Sequence, residues 1–198
     1  MIKIPAGVKG LIFDLDGTIA NTMQNHFEAW RVAVKPYGID FNADLFRSLT
    51  GMPRIATIEK LNQLYGTTMN PIEVGNAKAA HFKKSAHLTQ EIKVVTDVIR
   101  KYHTILPMSV GTGSTKLGAK QSLEITGMDT FFDIVITAND ILNPKPHPET
   151  FLKCAELMDV EPKDCLVFED GILGIQAAES VGMGVIDVND YYKLEFTI

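Results

Sequence analysis

Cysteine is scarce in this sequence, positive charge is in deficit, and no hydrophobic run is long. Two cysteines, Cys154 and Cys165, are too few for a disulfide framework and do not follow zinc-ligand spacing, so they read as reduced, buried thiols. Lysine and arginine number 19 against 24 aspartates and glutamates, a formal charge of −5. That balance argues against a general nucleic-acid binder, since phosphate backbones are held by lysine and arginine. It leaves room for a small anionic substrate, which needs only a local cluster of donors. No apolar stretch approaches the roughly 18 residues of a spanning helix. The segment Met1 to Gly10 carries two lysines and a proline but no apolar core of an export signal. No repeat, low-complexity tract or long exposed heptad is present. The expectation is a cytoplasmic protein without nucleic-acid or membrane partners, and a monomer by default.

What the 198 residues do contain is a rhythm of short apolar runs, each leading through a turn into a helical pattern. The runs are Gly10–Asp14, Thr104–Val110, Phe132–Ile136, Cys165–Phe168 and Gly184–Val188. The helical patterns include Lys116–Thr126, Pro148–Met158 and Leu173–Val181. Short strands alternating with helices predict an α/β fold: a Rossmann-like parallel sheet flanked by helices. The rhythm breaks between Asn21 and His87, where amphipathic patterns are separated by Gly38, Gly51-Met-Pro53 and Asn70-Pro71. This stretch is too long for a loop and predicts an inserted small α-helical cap. The expected division is a core of residues 1–20 and 88–198 around a cap of residues 21–87.

In an open parallel sheet, ligands bind beyond the carboxyl ends of the strands. The polar groups predicted there are Asp14 with Asp16, Thr112, Lys145, and Glu169 with Asp170. Four carboxylates against one lysine would drive protonation or strong repulsion without a cation. Hard oxygen donors of this kind suit Mg2+, which commonly shares a substrate phosphate. Asp14 and Asp16, two positions apart at a strand end, can face the same side of the crevice. Gly17 lets the chain turn away and Thr18 begins that turn. One carboxylate can then attack phosphorus while the other handles the proton of the leaving oxygen.

These residues carry a resemblance. Asp14-Leu-Asp-Gly-Thr18 is similar to the first signature of the haloacid dehalogenase superfamily. Thr112 matches the second, Lys145 in Lys-Pro-His-Pro-Glu149 the third, and Phe168-Glu-Asp170 the fourth. The ordered set spans nearly the whole chain. The helical insert resembles the small cap of the beta-phosphoglucomutase-like subgroup, whose cap has residues similar to His26, Trp30, Gly51, Arg54 and Lys78. The overall pattern, with Val110-Gly-Thr-Gly-Ser114, looks closest to fructose-1-phosphatase-type members.

The resemblance implies Asp14 as nucleophile, Asp16 as acid and base, and Thr112 and Lys145 as stabilisers of the phosphoryl group. It implies Mg2+ on Asp14, the Asp16 backbone carbonyl and Asp170, with Glu169 either a ligand or a partner of the ligands. Thr18, His26, Arg54, Lys78, Gly113 and Ser114 are the expected substrate contacts. His26 reads equally well as a packed, hinge-side histidine, Trp30 as cap core, and Lys116 as either an anion contact or a helix opener. The implied activity is hydrolysis of a small sugar phosphate. A beta-phosphoglucomutase is the first alternative, although such mutases usually carry valine or alanine in place of Thr18, and an aspartate where Asn21 stands. A dehalogenase is disfavoured by Asp16, since a halide leaving group needs no proton. A non-catalytic phosphometabolite-binding protein is disfavoured by the complete signature set.

Overall fold

The fold was obtained as a computed structural model and is described for residues 2–193. Five strands form one parallel sheet: β1 (Gly10–Phe13), β2 (Met108–Gly111), β3 (Ile134–Ile136), β4 (Cys165–Glu169) and β5 (Gly184–Asp187). Their order is β3-β2-β1-β4-β5, with Phe13 paired to Val110 on one side and Phe168 on the other. The central strands are apolar apart from the buried Ser109 and the terminal Glu169, because helices cover both faces. Alternate residues go to opposite layers. Leu11, Phe13, Val110 and Phe168 pack with Val95, Val98 and Ile99 of α5 (Lys93–Tyr102) and Leu123 of α6 (Lys116–Thr126). Ile12, Ile136 and Val167 pack with Phe151 and Cys154 of α7 (Glu149–Leu157) and Ala177 of α8 (Ile172–Glu179). Phe13 stacks on Phe168 at 4.7 Å between ring centroids, which locks β1 to β4 directly beneath their carboxyl ends.

Two strands begin later than their apolar runs suggest. The N–H groups of Ile105 and Leu106 bond to the carbonyl of Tyr102, which prolongs the turn after α5, and Ile105 is exposed. Pro107 has no N–H to give a ladder. The strand therefore starts at Met108 rather than Thr104. Phe132 is buried in the core without joining the ladder, and β3 starts at Ile134.

Residues 21–87 hold four helices: α1 (Met23–Val34), α2 (Ala43–Leu49), α3 (Arg54–Tyr65) and α4 (Pro71–Ser85). Their boundaries follow local chemistry. Gly38 closes the turn after α1 and Gly66 ends α3, both with left-handed backbone. The Asn70 side chain accepts from the N–H groups of Ile72 and Glu73, and Pro71 opens α4. The four helices share a cluster of their own, with Phe27, Trp30, Phe41, Phe46, Ile58, Leu61 and Val74 buried together. Two connecting segments join this cluster to the sheet and lie side by side. Asn21 N–H donates to Gln90 O at 2.8 Å, and Ile92 N–H donates to Ile19 O at 2.8 Å. The loop after α2 rests on α8, since a Cβ added at Gly51 would meet Leu173 at 3.4 Å. Among the described residues, no helix is long and apolar enough to cross a membrane.

Candidate active site

The carboxyl ends of β1 and β4 carry the charged groups. Asp14 directly follows β1 and its N–H is fixed to Phe168 O at 2.9 Å. Glu169 ends β4 and Asp170 follows it. Lys145, from the loop between β3 and α7, donates to Asp14 Oδ1 and Glu169 Oε2 at 2.6 Å each. All three side chains are buried, with at most 9% of their surface exposed. The other Glu169 oxygen accepts from the N–H groups of Asp170 and Gly171 at 3.1 and 2.9 Å. Gly174 leaves the space this carboxylate fills, because a Cβ there would overlap it. Asp170 accepts from the Thr18 hydroxyl at 3.0 Å, while its carbonyl accepts from the Asn189 amide at 2.8 Å. Gly17 has φ +94°, and a Cβ on it would run into the Asp170 carboxylate.

Electrostatics here run against ionisation. Burial first, and Glu169 next, push the Asp14 carboxyl up to about 8 despite Lys145. Asp170 is raised well above the usual carboxylate range by burial, Glu169 and Asp14. Burial opposes the charge on Lys145, yet Asp14 and Glu169 together outweigh it and hold the ammonium protonated. One lysine does not balance three carboxylates. Asp14, Glu169 and Asp170 each offer an oxygen within 4.8 Å of the others. Hard donors this close, short of positive charge, fit a divalent cation of the Mg2+ kind.

Asp16 has different surroundings. Its Oδ1 accepts from the Thr22 hydroxyl at 2.7 Å and meets His26 Nε2 at 3.2 Å. Its Oδ2 accepts from the Ser114 hydroxyl at 2.5 Å. Burial alone would raise this carboxyl, but His26, Ser114 and Thr22 outweigh it and hold the group ionised. His26 is in turn 2.5 Å from Lys78 Nζ through Nδ1 and stacks on Phe82. With Lys78 donating to Nδ1, His26 carries its proton on Nε2, toward Asp16. Burial and the nearby Arg54 charge lower Lys78 to about 8, against the pull of Asp16.

Each expected site residue therefore has a definite place. Asp14, Lys145, Glu169 and Asp170 converge. Thr112 is buried beside them, its N–H on Ile136 O and its hydroxyl oxygen accepting from Ser114 N–H at 3.0 Å. Gly113 is exposed with open space around it. Thr18, expected at the substrate, is wholly buried and spends its hydroxyl on Asp170. Arg54 is exposed at the start of α3, against Gly75. Thr22, Gly174 and Asn189 were not anticipated. Thr22 stands in the N-cap position of α1 but makes no cap bond, since its hydroxyl goes to Asp16. Nothing in the sequence marks the position of Gly174 or Asn189.

Known proteins resemble this chain in sequence and in fold. The profile of the haloacid dehalogenase-like hydrolases matches residues 11–188. The fructose-1-phosphate phosphatase YqaB of Escherichia coli is 36% identical over 90% of this chain and 95% of its own length. The beta-phosphoglucomutase of Bacillus subtilis is 27% identical over 91% of this chain and 83% of its own. A hydrolase from Pseudomonas syringae shares the fold, with a TM-score of 0.83 at 20% identity, covering 94% of this chain and 87% of that one. The matched span runs from β1 to just beyond β5 and includes every carboxylate described above. The chain belongs to the haloacid dehalogenase-like hydrolase family.

Proposed function

We propose that the protein is a magnesium-dependent phosphatase of small sugar phosphates, with Asp14 as the nucleophile. The observation that carries this reading is the buried set of Asp14, Glu169 and Asp170 around Lys145. A carboxylate there sits beside a fixed cation and hard donors fit for a metal. Phosphoryl transfer asks mainly for alignment and charge stabilisation, which such a site supplies.

An Asp14 oxygen attacks phosphorus, and the bond from phosphorus to the sugar oxygen breaks. The departing oxygen takes a proton through Asp16, which is ionised in the free protein and receives that proton from the monoanion of the incoming phosphate ester, and the phosphoryl group remains on Asp14 as an acyl phosphate. Water then attacks phosphorus, giving its proton to Asp16 and releasing phosphate and the Asp14 carboxylate. Lys145 and Thr112 stabilise the phosphoryl oxygens. Asp14, Asp170 and the Asp16 carbonyl would hold Mg2+, with Glu169 a ligand or a partner of the ligands. When bound, the ion neutralises charge on the phosphoryl group and lets the clustered carboxylates ionise.

A mutase passes the phosphoryl group to a second sugar phosphate, and similarity to the Bacillus subtilis enzyme keeps that reading in view. It requires a second phosphate site. The buried cation nearest Asp16 in the four-helix cluster, Lys78, is engaged by His26, and Arg54 is exposed. The higher identity to the phosphatase than to the mutase, 36% against 27%, favours water as the acceptor. The test is incubation with Mg2+ and a panel of hexose and pentose phosphates, following inorganic phosphate and isomer formation together. Phosphate release without isomerisation supports the phosphatase; isomer formation without net release replaces it with the mutase.

A further inference from the structure

The polar groups of Ser114 are all engaged within the protein. Its N–H donates to Thr112 Oγ1 at 3.0 Å and its carbonyl accepts from Ala138 N–H at 2.9 Å. Its hydroxyl donates to Asp16 Oδ2. A phosphate ester presents mainly acceptor oxygens, and neither donor of Ser114 is left for them. Asp16 Oδ1 already meets Thr22 and His26 from the start of α1, so Ser114 is the donor that fixes the remaining oxygen. The loop carrying Ser114 is itself tied to the segment after β3 through Ala138, which makes it a rigid reference point on the sheet.

We infer that Ser114 is a positioning residue that orients the Asp16 carboxylate from the sheet side, and not a substrate contact. The inference rests on the phosphatase reading, in which Asp16 exchanges a proton with the sugar oxygen. With two donors crowded on Oδ1, Oδ2 is the oxygen that meets the leaving group, and the Ser114 hydroxyl sets its direction. Losing that bond lets the carboxylate rotate about its own axis. The penalty then falls on turnover of esters whose leaving oxygen needs a proton.

The experiment compares wild type with Ser114→Ala, Ser114→Thr, Asp16→Asn and Ser114→Ala/Asp16→Asn. Substrates are a sugar phosphate hydrolysed by the wild type and p-nitrophenyl phosphate, whose leaving group needs little protonation. Ser114→Ala is expected to lower kcat on the sugar phosphate about 10-fold, the scale of one hydrogen bond to a charged group. KM should stay within about twofold and p-nitrophenyl phosphate turnover should hardly change. Ser114→Thr should restore most of the loss, and Ser114→Ala should cost nothing further in the Asp16→Asn background. A rise in KM at constant kcat, a further loss in that background, or no effect at all overturns the assignment. A wild type that hydrolyses neither class of ester instead overturns the phosphatase reading itself, and the Ser114 role with it.

Discussion

Lys145 and Asp14 are 131 positions apart in the chain and 2.6 Å apart in the fold, with neither side chain reaching solvent appreciably. The contact exists because β1 lies in the middle of the sheet and the loop after β3 reaches back across β2 to its end. Lys145→Met keeps the stem but leaves Asp14 and Glu169 facing each other without their shared cation. It should cost about 3–5 kcal/mol of stability in metal-free protein, the scale for removing one partner of a buried ion pair. Turnover should fall on the order of 10²-fold or more. Thermal unfolding and phosphate release measure the two effects separately, and an unchanged melting temperature would contradict the burial argument.

The carboxylate cluster predicts a pH dependence. Asp14 titrates near 3.9 in an unfolded chain and is pushed up to about 8 in the fold by burial and Glu169. The folded state thus binds the extra proton, so its contribution is fully present below about pH 4. It is lost as pH rises towards 8. Metal-free protein should become less stable across that window. Mg2+ should offset the loss, binding more tightly as pH rises because the carboxyls must first release protons. At about 100 times its Kd the ion adds roughly 2.7 kcal/mol. Calorimetric melts at several pH values, with and without Mg2+, check the sign; stability that rises with pH in the absence of metal would refute it.

Gly17 and Asp170 give a third test. Gly17→Ala forces a Cβ into the Asp170 carboxylate at a backbone angle that side chains rarely adopt. The injury falls on Asp170, a proposed metal donor, since the sheet pairs on either side do not include Gly17. Apparent Mg2+ affinity should weaken by at least about 10-fold, while the far-ultraviolet circular dichroism spectrum is retained. The stability cost should stay within the ~1–3 kcal/mol typical of a strained backbone position.

How far the sequence alone reaches can be judged from particular residues. Apolar runs ending in carboxylates located β1 and β4, because a strand covered on both faces has no polar positions to blur the pattern. The same rule misled at Thr104–Pro107, where Ile105 is apolar yet exposed and the helix turn prolongs itself. Gly38 and Asn70-Pro71 marked helix ends through their own backbone chemistry. The surroundings of Asp16 were not legible. Thr22, His26 and Ser114 reach it only through the way α1 and the loop after β2 dock, which no local pattern encodes. Ser114 and Thr18 were expected at the substrate. In the fold their hydroxyls donate to Asp16 and Asp170, contacts that depend on side-chain direction rather than residue type.

Asp16→Asn separates the proposed proton-transfer role of this residue from simple packing. The amide preserves shape but neither gives nor takes the proton at the leaving oxygen. Sugar-phosphate turnover should fall about 10²–10⁴-fold, the usual range for a general acid or base. Turnover of p-nitrophenyl phosphate should fall much less. Equal losses on both substrates would remove the acid role from the mechanism.

The most direct measurement concerns Asp14. Purified wild type and Asp14→Asn are incubated with Mg2+ and hexose phosphates, fructose 1-phosphate among them, and inorganic phosphate is followed over time. Wild type is predicted to release phosphate only with the metal present, and Asp14→Asn to fall by on the order of 10³-fold or more while keeping its fold. An Asp14→Asn protein that turns over at a substantial fraction of the wild-type rate would contradict the account at its centre.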